Sequence, residues 1–168
     1  SRGAWLLESY SDRQDHFGHE TLPMDFVKKT ASNGLKSGFQ VCAHAIGDRA
    51  NREILDRYEA ALKEDSILGT DHRFRIEHAQ HLHPDDIPRF AELNVIPAMQ
   101  AVHMSSDRPW AIERLGEKRI KEGDYIKEST NETIKQDNKY KLNKINHEYG
   151  LRVNVRNGVP VGSLPRFR

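Results

Sequence analysis

Apolar residues between Leu22 and Leu115 alternate between two spacings, one typical of amphipathic helices and one typical of short strands. The helical spacing predicts a first helix from residue 22, which Pro23 opens and Gly38 ends. A second helix, residues 49–64, collects on one face Ala50, Ile54, Leu55, Tyr58, Ala61 and Leu62. Two shorter helices follow, one from Pro84 and one over residues 109–115.

Short apolar runs separate these helices and predict strands over residues 39–45, 73–78, 95–99 and 151–155. Residues 1–20 show no clear periodicity and are interpreted as a loop. Strands that alternate with helices are typical of βαβ units, so the predicted fold class is α/β with a parallel sheet.

The composition limits the classes of function that fit the chain. A length of 168 residues predicts one domain, and a net charge of +1 gives no reason to expect nucleic acid or an anionic membrane as a partner. No apolar run approaches the ~20 residues of a membrane span, and no signal peptide is visible. The single cysteine, Cys42, excludes an intrachain disulfide and is interpreted as a small buried residue. We therefore expect a cytoplasmic protein.

The chain becomes strongly polar after residue 117, where Lys, Asn, Glu and Asp crowd the sequence as far as residue 148. Residues 129–143 are interpreted as an exposed insertion before the last strand. The excess of basic over acidic residues is small there, which favours a solvated loop over a nucleic-acid patch. Residues 1–168 are treated as one domain.

Two histidines, His44 and His78, stand at the ends of successive predicted strands. Alternation puts Gln40 and Cys42 on the face of His44, and it puts Phe74 and Ile76 on the face of His78. Arg75 and Glu77 then point towards the covering helices. If both histidine faces point into a barrel, the imidazoles lie side by side and suit a metal ion. Catalytic zinc uses about three protein ligands, so ordinary core or surface histidines remain the alternative.

Three motifs in order carry a family resemblance: FQVCAHAIGDRANREILDRYEAAL, HRFRIEHAQHLHPDDIPRFAELNVIPAMQ and HMSSDRPWAIERLG. They closely resemble the metal-dependent amidohydrolase superfamily, in the branch of N-substituted formamide deformylase-like enzymes. The opening SRGAWLLESYSD resembles that branch's segment after its fourth strand. The resemblance covers residues 1–126 and, weakly, 150–167. It implies a partial (β/α)₈ TIM barrel, roughly the last four βα units, and hydrolysis of an amide- or formamide-type C–N bond by a metal-activated water.

The resemblance also implies a divalent metal, with zinc as the first choice, and a small-molecule amide-type substrate. His44 matches the family's fifth-strand histidine ligand and His78 its sixth-strand histidine ligand. The family's first-strand His-x-His pair and its carboxylated lysine would precede Ser1. Its last-strand aspartate, which acts as ligand and proton acceptor, has no match in the stretch Asn157-Gly158-Val159. No residue is therefore assigned as catalytic, and we expect little hydrolysis by this chain alone.

Several other polar residues have two interpretations. His103 and Asp107, in the loop after the third predicted strand, are candidate substrate contacts or ordinary loop residues. His81-Leu82-His83 looks like a His-x-His pair, but it leads into Pro84 and is interpreted as a loop with His83 as a helix cap. Asp48 is interpreted as a helix cap.

A second hypothesis belongs to a different class of function: a non-catalytic remnant or a binding and assembly module that has lost the metal site. The missing aspartate and the polar insertion motivate it. Half a barrel would also leave unpaired strand edges, which predict self-association.

Overall fold

The elements alternate along the chain as the apolar pattern predicts. The computed structural model describes residues 1–64, 71–100, 103 and 106–123. Within these ranges the order is α1 Met24–Ser37, β1 Cys42–Ile46, α2 Asp48–Glu64, β2 Arg75–Gln80, a 3₁₀ turn Pro84–Asp86, α3 Ile87–Glu92, β3 Ile96–Ala98 and α4 Arg108–Gly123. Helix α4 is kinked at Gly116, whose backbone angles are not helical. The predicted insertion 129–143, the strand 151–155 and the stretch 157–163 lie outside the described residues.

The three described strands form one parallel sheet in the order β1-β2-β3. The α/β class with a parallel sheet is thus confirmed. Strand β1 begins at Cys42, three residues later than predicted, and it continues to Ile46. None of the helices in the described ranges has the length and apolar character needed to cross a bilayer.

Helix α1 begins and ends where the proline and glycine signals predict. Pro23 occupies the N-cap, and Gly38 closes the helix in the left-handed conformation at φ 71°. The Gly38 N–H donates to the carbonyls of Gly34 and Leu35. The left-handed conformation is strained for any residue that has a Cβ, so glycine ends the helix most easily.

The main hydrophobic core lies between one face of the sheet and helices α1, α2 and α3. Phe74 and Ile76 are fully buried in it, and the Phe74 ring lies 4.9 Å from the ring of Tyr58 on α2. The prediction that Arg75 and Glu77 point to the helices is therefore wrong. The helices bury the large apolar side chains of β2, so the charged ones emerge on the opposite face, where they form an ion pair with each other.

We call this opposite side of the sheet the site face; it carries Cys42, His44, Arg75 and Glu77, which pair in register as Cys42 with Arg75 and His44 with Glu77. The prediction that Cys42 is buried is also wrong, because its thiol lies exposed on the site face. Its partial desolvation raises the pKa of the thiol.

The segment before α1 is irregular, as predicted, but it packs into a second small core. Leu6 and Tyr10 are buried there against three residues of α4, namely Ala111, Leu115 and Ile120. Arg119 holds the segment through bonds to the carbonyls of Glu8 and Ser9. Loops of this kind are stabilised by side-chain packing rather than by a backbone ladder.

An ion network joins α2 to the segment that begins α3. The carboxylate of Asp86 is 2% exposed and accepts from Arg52 at 2.8 Å and from Arg89 at 3.0 Å. Arg89 also binds Asp56 and Glu59 on α2. Burial by itself lowers the pKa of Arg89, but the carboxylates around it outweigh that effect and raise its pKa overall.

His72 should make the fold sensitive to mild acid. Its Nδ1 accepts the N–H of Phe74 at 3.0 Å, and its Nε2 lies 2.8 Å from the carbonyl of Leu93. This arrangement requires the neutral ring with the proton on Nε2. Burial lowers the pKa of His72, more than the Leu93 carbonyl and Asp71 raise it. The unfolded chain therefore binds the proton more readily, so the contribution of His72 to stability is complete above about pH 6.5 and is lost as the pH falls below that value.

The check is the free energy of unfolding in urea, measured at pH 7.5 and at pH 5.5. We expect His72→Asn to reduce the loss of stability between these two values, because the amide oxygen still accepts from Phe74 and does not titrate. An exposed control, His83→Asn, should keep the wild-type loss. Equal losses in all three proteins would contradict a role for His72.

Candidate metal centre

The site face receives His44 from the middle of β1. His44 is the third residue of this five-residue strand, and its side chain is exposed. Its neighbour Ala45 is 1% exposed and belongs to the core on the other face. The alternation of a regular strand thus determines where His44 lies.

His78 reaches the same face by an irregular route. In the register of the sheet it pairs with Ala45, so a regular β2 would direct its ring into the core. Instead the pairing skips a residue, and Ile46 pairs with Gln80. His78 and Ala79 both have positive φ, 69° and 45°, and Ala79 is fully buried in the core. The prediction that His78 shares the face of Phe74 and Ile76 is therefore wrong: a β-bulge turns its ring to the opposite side.

Two successive non-glycine residues at positive φ are costly, at about 1–3 kcal/mol each. Such strain persists only where the surrounding structure imposes it, and it is concentrated at functional sites. The bulge therefore marks the end of β2 as a place where the direction of one side chain matters more than local backbone energy.

The bulge brings the two imidazoles together. The ring centroids of His44 and His78 lie 4.8 Å apart, with the ring planes at 75°. The Nδ1 atom of His78 is buried and has no hydrogen-bond partner. An unsatisfied buried nitrogen next to a second imidazole fits a pair of metal ligands, because neutral imidazole binds divalent ions through such a lone pair. In the ranges that the structure describes, no set of three His, Cys, Asp or Glu side chains is arranged to hold a metal.

The structure places both candidate substrate contacts beside this pair. The His103 ring lies 5.6 Å from the ring of His78, and its Nδ1 is 3.7 Å from Asp107 Oδ2. Gln80 Nε2 donates to the same Asp107 oxygen at 3.2 Å. Gln80 thereby links the end of β2 to the start of α4. A contact of His103 and Asp107 with substrate stays a prediction.

The other two neighbouring histidines, His81 and His83, lie in the loop after β2. Leu82 is buried, and His83 is the N-cap of the 3₁₀ turn, where its Nδ1 accepts the Asp85 N–H at 3.3 Å. The interpretation of His83 as a cap is thus confirmed. His81 has a positive φ of 59° and lines a pocket next to His44.

Asp48 has a different partner from the one its predicted cap role implies. Its Oδ1 accepts the N–H of Arg49, the next residue of α2, and also the N–H of Leu7 at 2.8 Å. The Trp5 N–H donates to the Ile46 carbonyl, and a Cβ at Gly47 would lie 2.1 Å from the Trp5 oxygen. Asp48 therefore ties the N-terminal segment across the carboxyl end of β1, and Gly47 permits the close approach.

This attachment creates the wall of a pocket of about 370 Å³ that opens beside His44. Side chains around it include Trp5, Tyr10, His81, Trp110 and Arg114. The guanidinium of Arg49 lies over the Trp5 ring at 5.7 Å from its centroid. A cavity of this size with aromatic walls and a few polar groups is typical of small-molecule sites.

Three residues near the histidines were missed in the sequence: Trp5, Asn51 and Gln80. Only Asn51 carried a usable signal, because it falls on the apolar face of α2, four residues before Leu55 and seven before Tyr58. A polar residue at such a position needs a partner inside the protein. Trp5 and Gln80 gave no signal, because tertiary contacts alone bring them to the site.

Comparison with known proteins finds a matching family model and two similar curated proteins. The family model described as the amidohydrolase family matches residues 1–136. LONG AFTER FAR-RED 3 of Arabidopsis thaliana is 36% identical over 129 residues, which cover 77% of this chain and 22% of that protein. YtcJ of Bacillus subtilis (strain 168), whose name places it among amidohydrolases, is 30% identical over 71% of this chain and 22% of its own length. The chain thus spans about a fifth of the length of these curated relatives.

Two solved structures are similar in fold and sequence. An uncharacterized metal-dependent hydrolase from Pyrococcus furiosus superposes with a TM-score of 0.62 at 32% identity, over 73% of this chain and 24% of that one. A second, from Pyrococcus horikoshii OT3, gives the same TM-score at 30% identity, and the match covers 73% of this chain and 23% of that one.

Proposed function

Because this chain belongs to the amidohydrolase family, we propose that it forms part of a metal-dependent hydrolase that cleaves an amide- or formamide-type C–N bond. The observation that carries the proposal is the pair of imidazoles, whose ring centroids lie 4.8 Å apart on adjacent parallel strands. The proposed branch is that of the N-substituted formamide deformylase-like enzymes, and the substrate is a small amide-type molecule.

The proposed architecture is a (β/α)₈ TIM barrel to which this chain contributes roughly the last four βα units. Its support is the parallel order β1-β2-β3 and the position of both histidines near the carboxyl ends of their strands, two residues before Ile46 and Gln80. Such barrels carry their active sites at that end of the sheet. The site face would then point into the barrel, and the helices would form part of its outer ring.

We assign His44 and His78 as ligands of a divalent ion, with zinc as the first choice because imidazole nitrogen suits it. When bound, the ion supplies a Lewis acid that lowers the pKa of water and polarises the amide carbonyl. The bulge of β2 holds the His78 ring towards that position. Trp5 and Trp110 would enclose the organic group of the substrate in the neighbouring pocket, and His103 and Asp107 would contact its polar part.

This 168-residue chain alone should bind zinc without catalysing hydrolysis. Two imidazoles give the ion fewer than the three or so protein ligands that catalytic zinc uses. Zinc titration followed by NMR of the imidazole nitrogens should shift the signals of His44 and His78 and leave those of His16 and His83 in place. Assays with N-formyl and N-acyl amines should give no turnover above that of free zinc.

Each outcome has a definite meaning. Zinc shifts confined to other histidines would overturn the ligand assignment and favour the non-catalytic alternative. Turnover that disappears in His44→Ala would instead show that the chain is an active hydrolase by itself, contrary to the inactivity we propose.

A further inference from the structure

Asn51 on α2 is a fully buried polar residue. Its side-chain nitrogen donates to two backbone carbonyls, that of Gly47 at 2.9 Å and that of Gln80 at 3.1 Å. Gly47 follows the end of β1, and Gln80 is the last residue of β2. One amide group therefore bridges the carboxyl ends of the two strands that carry His44 and His78.

Each of the two carbonyl oxygens already accepts a hydrogen bond from a backbone N–H, so neither depends on the Asn51 amide for a donor. The Gly47 oxygen already accepts the Asn51 backbone N–H at 3.0 Å, and the Gln80 oxygen already accepts the Gly47 N–H at 3.0 Å. The Oδ1 atom of Asn51 is buried without a partner. An alanine at this position would avoid that unsatisfied oxygen, so the amide is not explained by hydrogen-bond satisfaction alone.

The position of the Asn51 amide explains its presence better. The Gln80 carbonyl lies at the point where the register skips a residue, between the pairs Ala45–His78 and Ile46–Gln80. Two carbonyl oxygens with like partial charges repel each other unless a donor lies between them. The Asn51 amide supplies that donor, and it does so directly behind the bulge that turns the His78 ring towards His44.

We propose that Asn51 is a positioning residue that sets the bulge at His78–Ala79 and thereby the spacing of the two imidazoles. The inference rests on the proposed function insofar as those imidazoles bind a metal. Asn51 touches no reacting group; it acts through the backbone of β1 and β2. Groups that orient metal ligands without binding the metal commonly tune metal affinity.

The variant Asn51→Ala tests the proposal, because both carbonyls keep their backbone donors and the chain should still fold. Tyr58→Phe is a matched control: Tyr58 lies on the same helix, is fully buried, and donates to the Arg75 carbonyl at the other end of β2. Two readouts are needed, namely the nuclear Overhauser effect between the ring protons of His44 and His78 without metal, and the affinity for zinc.

We expect Asn51→Ala to weaken the ring-to-ring effect and to reduce zinc affinity by about tenfold, while Tyr58→Phe changes neither. Unchanged ring contacts and zinc affinity in Asn51→Ala would overturn the proposal. If the wild-type chain binds no zinc, the proposed function fails, but the ring-to-ring effect still decides the role of Asn51. Equal losses in both variants would show a general structural effect and would also overturn it.

Discussion

Replacing His78 with alanine should weaken zinc binding by at least roughly 10- to 100-fold. That is the loss when a residue that only orients a metal ligand is removed, and His78 is proposed as a ligand itself. His78 has a buried Nδ1 without a partner, and its ring lies 4.8 Å from that of His44. Removing either imidazole leaves one ligand of the pair. The exposed His44 offers the safer variant, His44→Ala, because its removal disturbs no core packing.

The affinity for zinc is measured by competition with a chromophoric indicator. His83→Asn is the control, because His83 belongs to the rejected His-x-His pair and asparagine can keep its cap on the 3₁₀ turn. We expect wild-type affinity in the control and a large loss in both His44→Ala and His78→Ala. If the control loses zinc while those two variants retain it, the metal centre lies at the other pair.

Replacing Asp86 with alanine should lower the free energy of unfolding by about 3 kcal/mol, the lower end of the cost of breaking a buried ion pair. Asp86 is 2% exposed and binds both Arg52 and Arg89. The lower end applies because both arginines keep some contact with solvent, and Arg89 retains Asp56 and Glu59 as partners. The loss would break the link between Arg52 of α2 and the start of α3, while Arg89 would keep its bonds to α2.

The neighbouring carboxylate provides the matched control. The Asp85 side chain is 82% exposed, so Asp85→Ala should change stability by no more than about 0.5 kcal/mol. Unfolding in urea, followed by circular dichroism, measures both variants against wild type. Similar small changes in the two would mean that the network around Asp86 contributes little net stability.

The helices were predictable from the sequence because their signals are local. Helix α1 ends at Ser37 with Gly38 as its cap, and α2 spans Asp48–Glu64, as the apolar spacing indicates, since side chains three and four positions apart must meet one core. The parallel sheet was predictable for a similar reason: short strands joined through helices form parallel neighbours. The sequence motifs also pointed to the amidohydrolase family, which the family model matches over residues 1–136.

The faces of the strands were harder to predict, because period-two alternation does not say which face the helices cover. In the structure Phe74, just before β2, and Ile76 of β2 lie on the face that the helices cover, and Cys42 of β1 lies on the opposite, exposed face. Alternation alone also placed His78 with the apolar residues. The bulge that reverses it depends on partners far away in the chain, which local propensity does not contain.

The sequence by itself determined the alternation of helices and strands, the family, and the place of one histidine on each of two successive strands, because each depends on residues close together in the chain. Only the tertiary structure decided that these histidines meet. Their rings lie together because β2 bulges at His78 and Ala79, and the amide of Asn51 bonds the end of each strand from behind. Contacts over such distances in sequence exist only once the helices have packed on the sheet.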